Sequence, residues 1–291
     1  MKRLLLARGV QAAAALAILL GSASLATADS IMRAGLTTGI PEGYGRTPGI
    51  YVASMVDVGV RNTDPSLTTQ AVFVPVFFTW STPWDIGTSH VSVKSAPFVG
   101  VVQHAPGLSK TRAYNPYVSV WFSWFLGHGF NFSIGEGAWI GFSNDLTKAI
   151  GRDFTAFQQN AALTYLRNNW NVTTNTFYTT GRTRDTGSQP HTFNLDFTAV
   201  KHVYRTDYGV VGYGVWDLNS PRVGYLPPGQ KMSEFAVGGL WGYLLGNLVQ
   251  VQGRLTTDIY QRNYGAHDTR LTIMAVFPFW TPRAPRPRSA K

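Results

Sequence analysis

No cysteine occurs among the 291 residues, which excludes disulfides and thiolate metal sites. Charge is scarce as well: Asp, Glu, Lys and Arg make up 14% of the chain, against roughly a quarter in an ordinary soluble domain. Long apolar runs are missing. Past the N-terminus, no stretch of about 20 apolar residues is available to cross a bilayer as a helix. The formal charge of +10 does not describe a basic surface. Lys2, Arg3 and Arg8 stand in an N-terminal leader, and Arg283, Arg286, Arg288 and Lys291 stand in a C-terminal tail. Without those three and those four, residues 29–280 carry +3. Nucleic-acid binding asks for a basic stripe flanked by stacking aromatics, and the sequence offers none.

What the chain has instead is aromatic residues, 17 Phe, 13 Tyr and 9 Trp, and a two-residue period. In Leu248–Tyr260, Val249, Val251, Leu255 and Ile259 hold one parity, and Gln250, Gln252, Arg254, Thr256 and Asp258 hold the other. Successive side chains of a strand point to opposite faces, so this segment has one apolar face and one wet face. The closing run LTIMAVFPFW at 271–280 is almost wholly apolar and ends in aromatics. An apolar face that meets lipid and a polar face that lines a lumen account for both runs, and the pattern repeats twelve times.

In chain order, residues 1–28 read as a secretory signal peptide: a basic start, an apolar middle and Ala26-Thr27-Ala28 as the cleavage site. Residues 29–46 are Gly-rich and aperiodic, an arm that either lies in the periplasm or folds back as a lumen plug. Alternation predicts strands at 49–60, 69–81, 89–102, 114–126, 130–142, 154–167, 170–180, 191–204, 208–218, 233–243, 248–261 and 270–280. Most match the 9–11 residues that a tilted strand needs to cross a bilayer. From the third connection onward, long polar loops such as SNDLTKAIGRD alternate with short turns such as Asn168-Asn169. Outer-membrane barrels sort their connections this way, with long loops outside and short turns in the periplasm. The expectation is therefore all-β: a transmembrane antiparallel up-and-down β-barrel of about 12 strands over 47–280, both termini periplasmic. Residues 281–291, Pro-rich and basic, cannot continue a strand and read as a disordered tail.

The pleat also assigns faces. Val91, Val93, Val99 and Val101 are expected to face lipid, with His90, Ser92 and Lys94 inward. Phe193, Leu195, Phe197 and Ala199 are expected outside, with Asn194, Asp196, Thr198 and His202 inside. Candidate pore-lining residues are then His90, Ser92, Lys94, Glu136, Asn194, Asp196, His202, Gln250, Gln252, Arg254 and Asp258. Lys201 adds another charge near membrane depth. Glu136 fits poorly, because Phe132, Ile134, Ala138 and Ile140 share its parity; a bulge at Gly135 or Gly137 would turn it inward. Trp80, Trp121, Trp124, Trp139, Trp170, Trp216, Trp241 and Trp280 mostly sit near predicted strand ends, where an amphipathic ring suits the headgroup level.

Several segments, in order, resemble a known family: TPGIYVASMVDVGVRNTD, AFQQNAALTYLRNNWNVTTNTFYTTG, HTFNLDFTAVKHV, GVVGYGVWDLNS and LTIMAVFPF. They are similar to the outer-membrane proteins grouped under a MetA pathway of phenol degradation, over roughly 47–280. That resemblance implies a barrel in the outer-membrane lipid bilayer that passes small hydrophobic or aromatic solutes, and the barrel-assembly machinery is its expected partner. It brings no catalytic or ligand motif to any position here. Such barrels end on a terminal aromatic, whereas here Phe279-Trp280 is followed by the tail.

The rival readings are a non-conducting structural or binding barrel, and an outer-membrane lipid hydrolase. Nucleophilic catalysis needs a Ser held by a His and a third group that orients the His. Neither His-x-Ser-Asn-Gly of the phospholipase kind nor Gly-x-Ser-x-Gly occurs, and His90-Val91-Ser92 is the nearest look-alike. No His-Glu-x-x-His occurs, and Asn144-Asp145 is a loop pair of the kind turns favour. No catalytic residue, metal or cofactor is assigned.

Overall fold

The computed structural model describes residues 31–63, 66–105, 108–182, 189–219, 231–246, 248–263 and 267–282. The expected signal peptide with its cleavage site, and the tail beyond Pro282, lie outside the described residues. Among the described residues, thirteen strands form one sheet. They are β1 (Gly49–Thr63), β2 (Ser66–Ile86), β3 (Ser89–Ala105), β4 (Leu108–Tyr114), β5 (Tyr117–Gly127), β6 (Phe130–Trp139), β7 (Ala156–Arg167), β8 (Trp170–Thr179), β9 (Thr192–Val203), β10 (Thr206–Asp217), β11 (Ser233–Leu245), β12 (Val249–Arg262) and β13 (His267–Trp280). Each pairs antiparallel with its neighbours, and β13 returns to β1 from Ile50↔Trp280 to Asn62↔His267, which closes the sheet. β4 and β5 both pair with β3, end to end, so they make one stave broken at Asn115-Pro116. The result is a closed barrel of twelve staves.

Burial is inverted relative to a soluble protein. Along β9, Thr192, Asn194, Asp196 and Thr198 are buried, and the intervening Phe193, Leu195 and Phe197 lie on the outer surface. Val56, Val58 and Val60 of β1 are exposed while Asp57 and Arg61 are buried. Polar residues therefore point into the barrel and apolar ones out of it. At one rim the turns are tight. Asn168 and Asn169 both take positive φ, 54° and 62°, the conformation of a two-residue hairpin turn whose twist matches its strands. The opposite rim carries the long connections. The first and third predicted loops are shorter than expected, because β1–β2 and β3–β4 continue pairing up to residues 63/66 and 105/108. Loop 140–155 contains a short helix, α1 (Asp145–Ala149), that alternation did not predict. Asn144 caps it, its Oδ1 accepting from the N–H groups of Leu146 and Thr147 at 2.9 and 3.0 Å.

Several face assignments need correction, two of them among the apolar residues. Val99 and Val101 face inward, not toward lipid, because the parity of β3 switches: Ser92, Lys94 and Ala96 are buried, then Val99, Val101 and Gln103, with Phe98 outside. An extra residue at Pro97-Phe98, a β-bulge, flips every side chain beyond it. Trp121 and Trp139 are the second case. Both are buried inside the barrel at 3% and 5% exposure, whereas Trp80, Trp170, Trp241 and Trp280 are exposed on the outer wall.

Candidate functional site: the lumen and its N-terminal arm

Residues 31–46 run inside the barrel as a chain of tight turns, with Thr38 N–H donating to Gly35 O, Ile40 N–H to Thr37 O and Tyr44 N–H to Pro41 O. The arm is held by inward-facing strand residues. Asp196 on β9 accepts from Gly35 N–H at 2.8 Å, and from the Thr37 N–H and hydroxyl. Arg254 on β12 donates to the carbonyl oxygens of Gly35, Leu36 and Thr38. Thr198 accepts from Gly39 N–H at 2.7 Å and Thr164 from Gly43 N–H at 2.9 Å. Lys94 on β3 pairs with Glu42 of the arm and lies 3.5 Å from the centre of the Trp121 ring. Glycine is required where the arm passes closest to the wall. Gly35 and Gly39 have φ of 81° and 82°, and a Cβ would sit 2.6 Å from the Tyr213 ring and 2.5 Å from Gln252 Oε1 respectively.

The lumen has two unlike sides. On the β1, β10, β11 and β13 side lies an ionic network. Arg270 donates to Asp57 and, at 3.0 Å, to Asp268. Arg33 of the arm reaches Glu234 at 3.3 Å and the Tyr213 hydroxyl at 2.8 Å, and Arg61 lies 3.6 Å from Asp268. Charges this deep persist because they are paired and hydrogen-bonded. On the β1–β5 side the lining is apolar. A cavity of about 100 Å³ lies among Val74, Phe77, Ala96, Val99, Tyr117 and Trp121, with Ile31 and Leu36 of the arm closing its inner side. Loop 140–155 folds over the long-loop rim of this side, Ile150 and Arg152 adding to the lining. Asn115 fastens that loop, Nδ2 donating to Arg152 O at 2.8 Å and Oδ1 accepting from Phe142 N–H at 2.9 Å.

The sequence-derived candidates distribute as follows. Ser92, Lys94, Asn194, Asp196, Gln252, Arg254 and Asp258 are buried inward-facing residues. His202, Gln250 and Asp207 cluster at the short-turn rim, His202 Nδ1 and Gln250 Nε2 lying 2.6 and 2.8 Å from the Asp207 carboxylate. His90 bonds Ser81 and Asp85, at 2.7 and 3.1 Å, and not its near neighbour Ser92. Glu136 does not line the lumen. It is exposed on the outer wall beside Val120 and Gln159, since neither Gly135 nor Gly137 introduces a bulge and β6 keeps its parity throughout. Lys201 is outside too, its Nζ reaching over Trp170 to the carbonyl of Asn168 at the short-turn rim. The alternation reading missed Asp57, Arg61, Glu234, Asp268 and Arg270, although Asp57, for one, stands between the outward Val56 and Val58. The same parity rule would have found Asp57, Glu234 and Arg270, whereas Arg61 and Asp268 fall outside the predicted strands, in β1 and β13 as they actually extend. Arg33 gave no such signal. Among the described residues no three His, Asp or Glu side chains gather to hold a metal.

The fold is that of outer-membrane β-barrels. The COG4313 outer membrane channel from Pseudomonas putida F1 superposes with a TM-score of 0.61 at 11% identity, covering 81% of this chain and 98% of that one. The NanC porin gives 0.48 at 10% identity, with 77% and 98% covered. Outer membrane phospholipase A from Escherichia coli gives 0.42 at 11%, with 78% and 89% covered. No curated protein matches the chain by sequence. A family sequence model does, over residues 54–272, and the chain belongs to that family, described as "Putative MetA-pathway of phenol degradation".

Proposed function

We propose that the barrel stands in the bacterial outer membrane, exported through a cleaved signal peptide and inserted by the barrel-assembly machinery, with its termini and short turns in the periplasm. There it passes small hydrophobic or aromatic solutes. The observation that carries this reading is the apolar cavity of about 100 Å³ beside the arm. A water channel gains nothing from a greasy chamber in its bore, whereas an apolar cavity of about 150 Å³ in a soluble protein takes up benzene. The cavity is about two-thirds of that volume, so a single ring is the upper limit of what it takes without movement of its lining, and Tyr114, Tyr117, Trp121 and Trp139 supply aromatic walls. The family name points to the same class of solute. Selectivity comes from the inward-facing polar and aromatic side chains and from the arm, which stands in the bore.

Hydrolysis is the weaker reading. Ser81, His90 and Asp85 have the distances of a triad, but Ser81 Oγ donates to the Arg46 carbonyl at 2.6 Å. That hydroxyl hydrogen is already committed, so His90 Nε2 must donate to Ser81 and cannot act as its base. The group works as a clamp between the arm and the β2–β3 turn.

The test is bromobenzene, a single ring whose heavy atom quenches indole fluorescence. Quenching of Trp121 in the purified barrel, lost in the cavity-filling Ala96→Leu variant, together with bromobenzene block of the bilayer current, supports a selective channel. Quenching without any current indicates a binding barrel that does not conduct. The absence of both overturns the proposal.

A further inference from the structure

Three adjacent staves switch parity at one level of the wall. On β2 the inward positions step from Val74 to Phe77, on β3 from Ala96 to Val99, and from β4 to β5 the step is Tyr114 to Tyr117. Each step carries a proline, Pro75, Pro97 and Pro116, which has no N–H to give to the ladder. Cross-strand pairing breaks accordingly. β2 and β3 pair at Phe73↔Gly100, next at Val76↔Phe98, then at Phe78↔Ser95, with register shifts between each. β3 pairs with β4 up to Val99↔Tyr114 and with β5 from Ala96↔Tyr117, so Pro97 and Phe98 have no partner on that side. Hydroxyls fill in for some of the missing ladder. Ser54 Oγ donates to Pro75 O at 2.6 Å, and Ser95 Oγ to Tyr117 O at 3.0 Å.

The place matters as much as the defect. All six inward residues at the steps line the apolar cavity. The outer face of the same patch is apolar and exposed, with Phe73, Phe78, Phe98 and Val118. Toward the short-turn rim the cavity meets the Glu42–Lys94 pair and the hydrogen-bonded arm. A hydrophobic solute would have to cross that polar, filled stretch to leave along the barrel axis, whereas the weakened wall opens directly onto hydrocarbon. We propose that the β2–β3 seam, Val74–Phe78 against Ser95–Val99, is a lateral portal through which a small apolar solute passes between the cavity and the membrane interior. This inference rests on the solute-passing reading above.

The chain has no cysteine, so the seam can be locked selectively. Val76 and Phe98 are Cα partners across it, a separation that a disulfide can span. Bromobenzene uptake is measured in cells carrying Val76→Cys/Phe98→Cys, oxidised and then reduced with dithiothreitol, and Trp121 quenching is measured on the purified protein. A matching Thr257→Cys/Thr269→Cys pair at the β12–β13 seam, away from the proposed portal, where the two hydroxyls lie 3.0 Å apart, is the control. The expected result is at least a fivefold loss of uptake in the oxidised seam variant, with quenching kept, uptake restored by reduction and the control unaffected. Unchanged uptake through a verified seam disulfide overturns the portal while leaving the channel intact. Neither quenching nor uptake in the wild-type chain overturns the channel reading and the portal with it.

Discussion

The Thr37 hydroxyl and the Thr37 backbone N–H both donate to one oxygen of Asp196, at 2.7 and 3.0 Å. A carboxylate on the barrel wall thus holds the arm at a single point, with Arg254 gripping the carbonyls on either side. If this seating is what narrows the bore, deletion of 29–46 raises single-channel conductance several-fold. Asp196→Ala, which keeps the arm but removes one grip, produces intermittent opening. Planar-bilayer recording of the refolded protein reads both, and unchanged conductance on deletion would rule the arm out as the obstruction.

Arg270 and Asp57 form the centre of the ionic side, with Thr272 also donating to Asp57 at 2.6 Å. Removing one partner leaves the other charge buried and uncompensated, which costs about 3–5 kcal/mol in a dry interior and less where lumen water can reach. Arg270→Ala should therefore destabilise by about 3 kcal/mol, and Arg270→Ala combined with Asp57→Ala by less than the two singles summed. Urea unfolding from lipid vesicles gives the numbers. Strict additivity would mean that the two residues are not coupled.

The barrel itself was legible because its signal is repeated: most of each stave obeys the same two-residue alternation, even where three staves break it once, and the connections alternate independently in length. Both signals survive an error in any one strand. The lumen was legible only where alternation was unbroken, as along β9 and along β12 as far as Asp258. It failed at Val99 and Val101, because a bulge is one extra residue and carries little sequence signature beyond Pro97. Trp121 and Trp139 misled for a different reason. A tryptophan near a strand end suits a headgroup belt, but an inward-facing one instead packs the core of a bore as narrow as this. Residues 31–46 have no period at all, so nothing local decided whether they lie inside. Asp196, Arg254 and Lys94 decide it, from positions 161, 219 and 52 residues away from their contacts in the arm.

Glu136 stands on the outer wall between Val120 and Gln159, with Ile134 and Phe132 along its own strand. A carboxylate facing hydrocarbon is unfavourable, although less so than Lys or Arg, for which the penalty at mid-depth is about 2–4 kcal/mol. Glu136→Leu is expected to stabilise the barrel in vesicles by about 1 kcal/mol and to leave conductance unchanged. A loss of stability would show that Glu136 meets a partner on the membrane side of the wall.

At the long-loop rim, Asp145 of α1 accepts from Lys110 Nζ and from Arg112 Nε and Nη2 of β4. These hydrogen bonds, Lys110 first and Arg112 next, hold its carboxyl down to about 2. A pKa lowered by folding contributes stability above the unfolded value that is lost as pH falls through the folded one. The latch between α1 and β4 should accordingly be complete at neutral pH and loosen between about pH 4 and about pH 2. Amide hydrogen exchange across 144–150 in the folded barrel is expected to quicken in that window, and Asp145→Asn to show the quickened rate at every pH. Because α1 belongs to the loop over the cavity, bromobenzene should also reach Trp121 faster in the variant. A transition centred above pH 5, or one that persists in Asp145→Asn, would assign the loosening to another group.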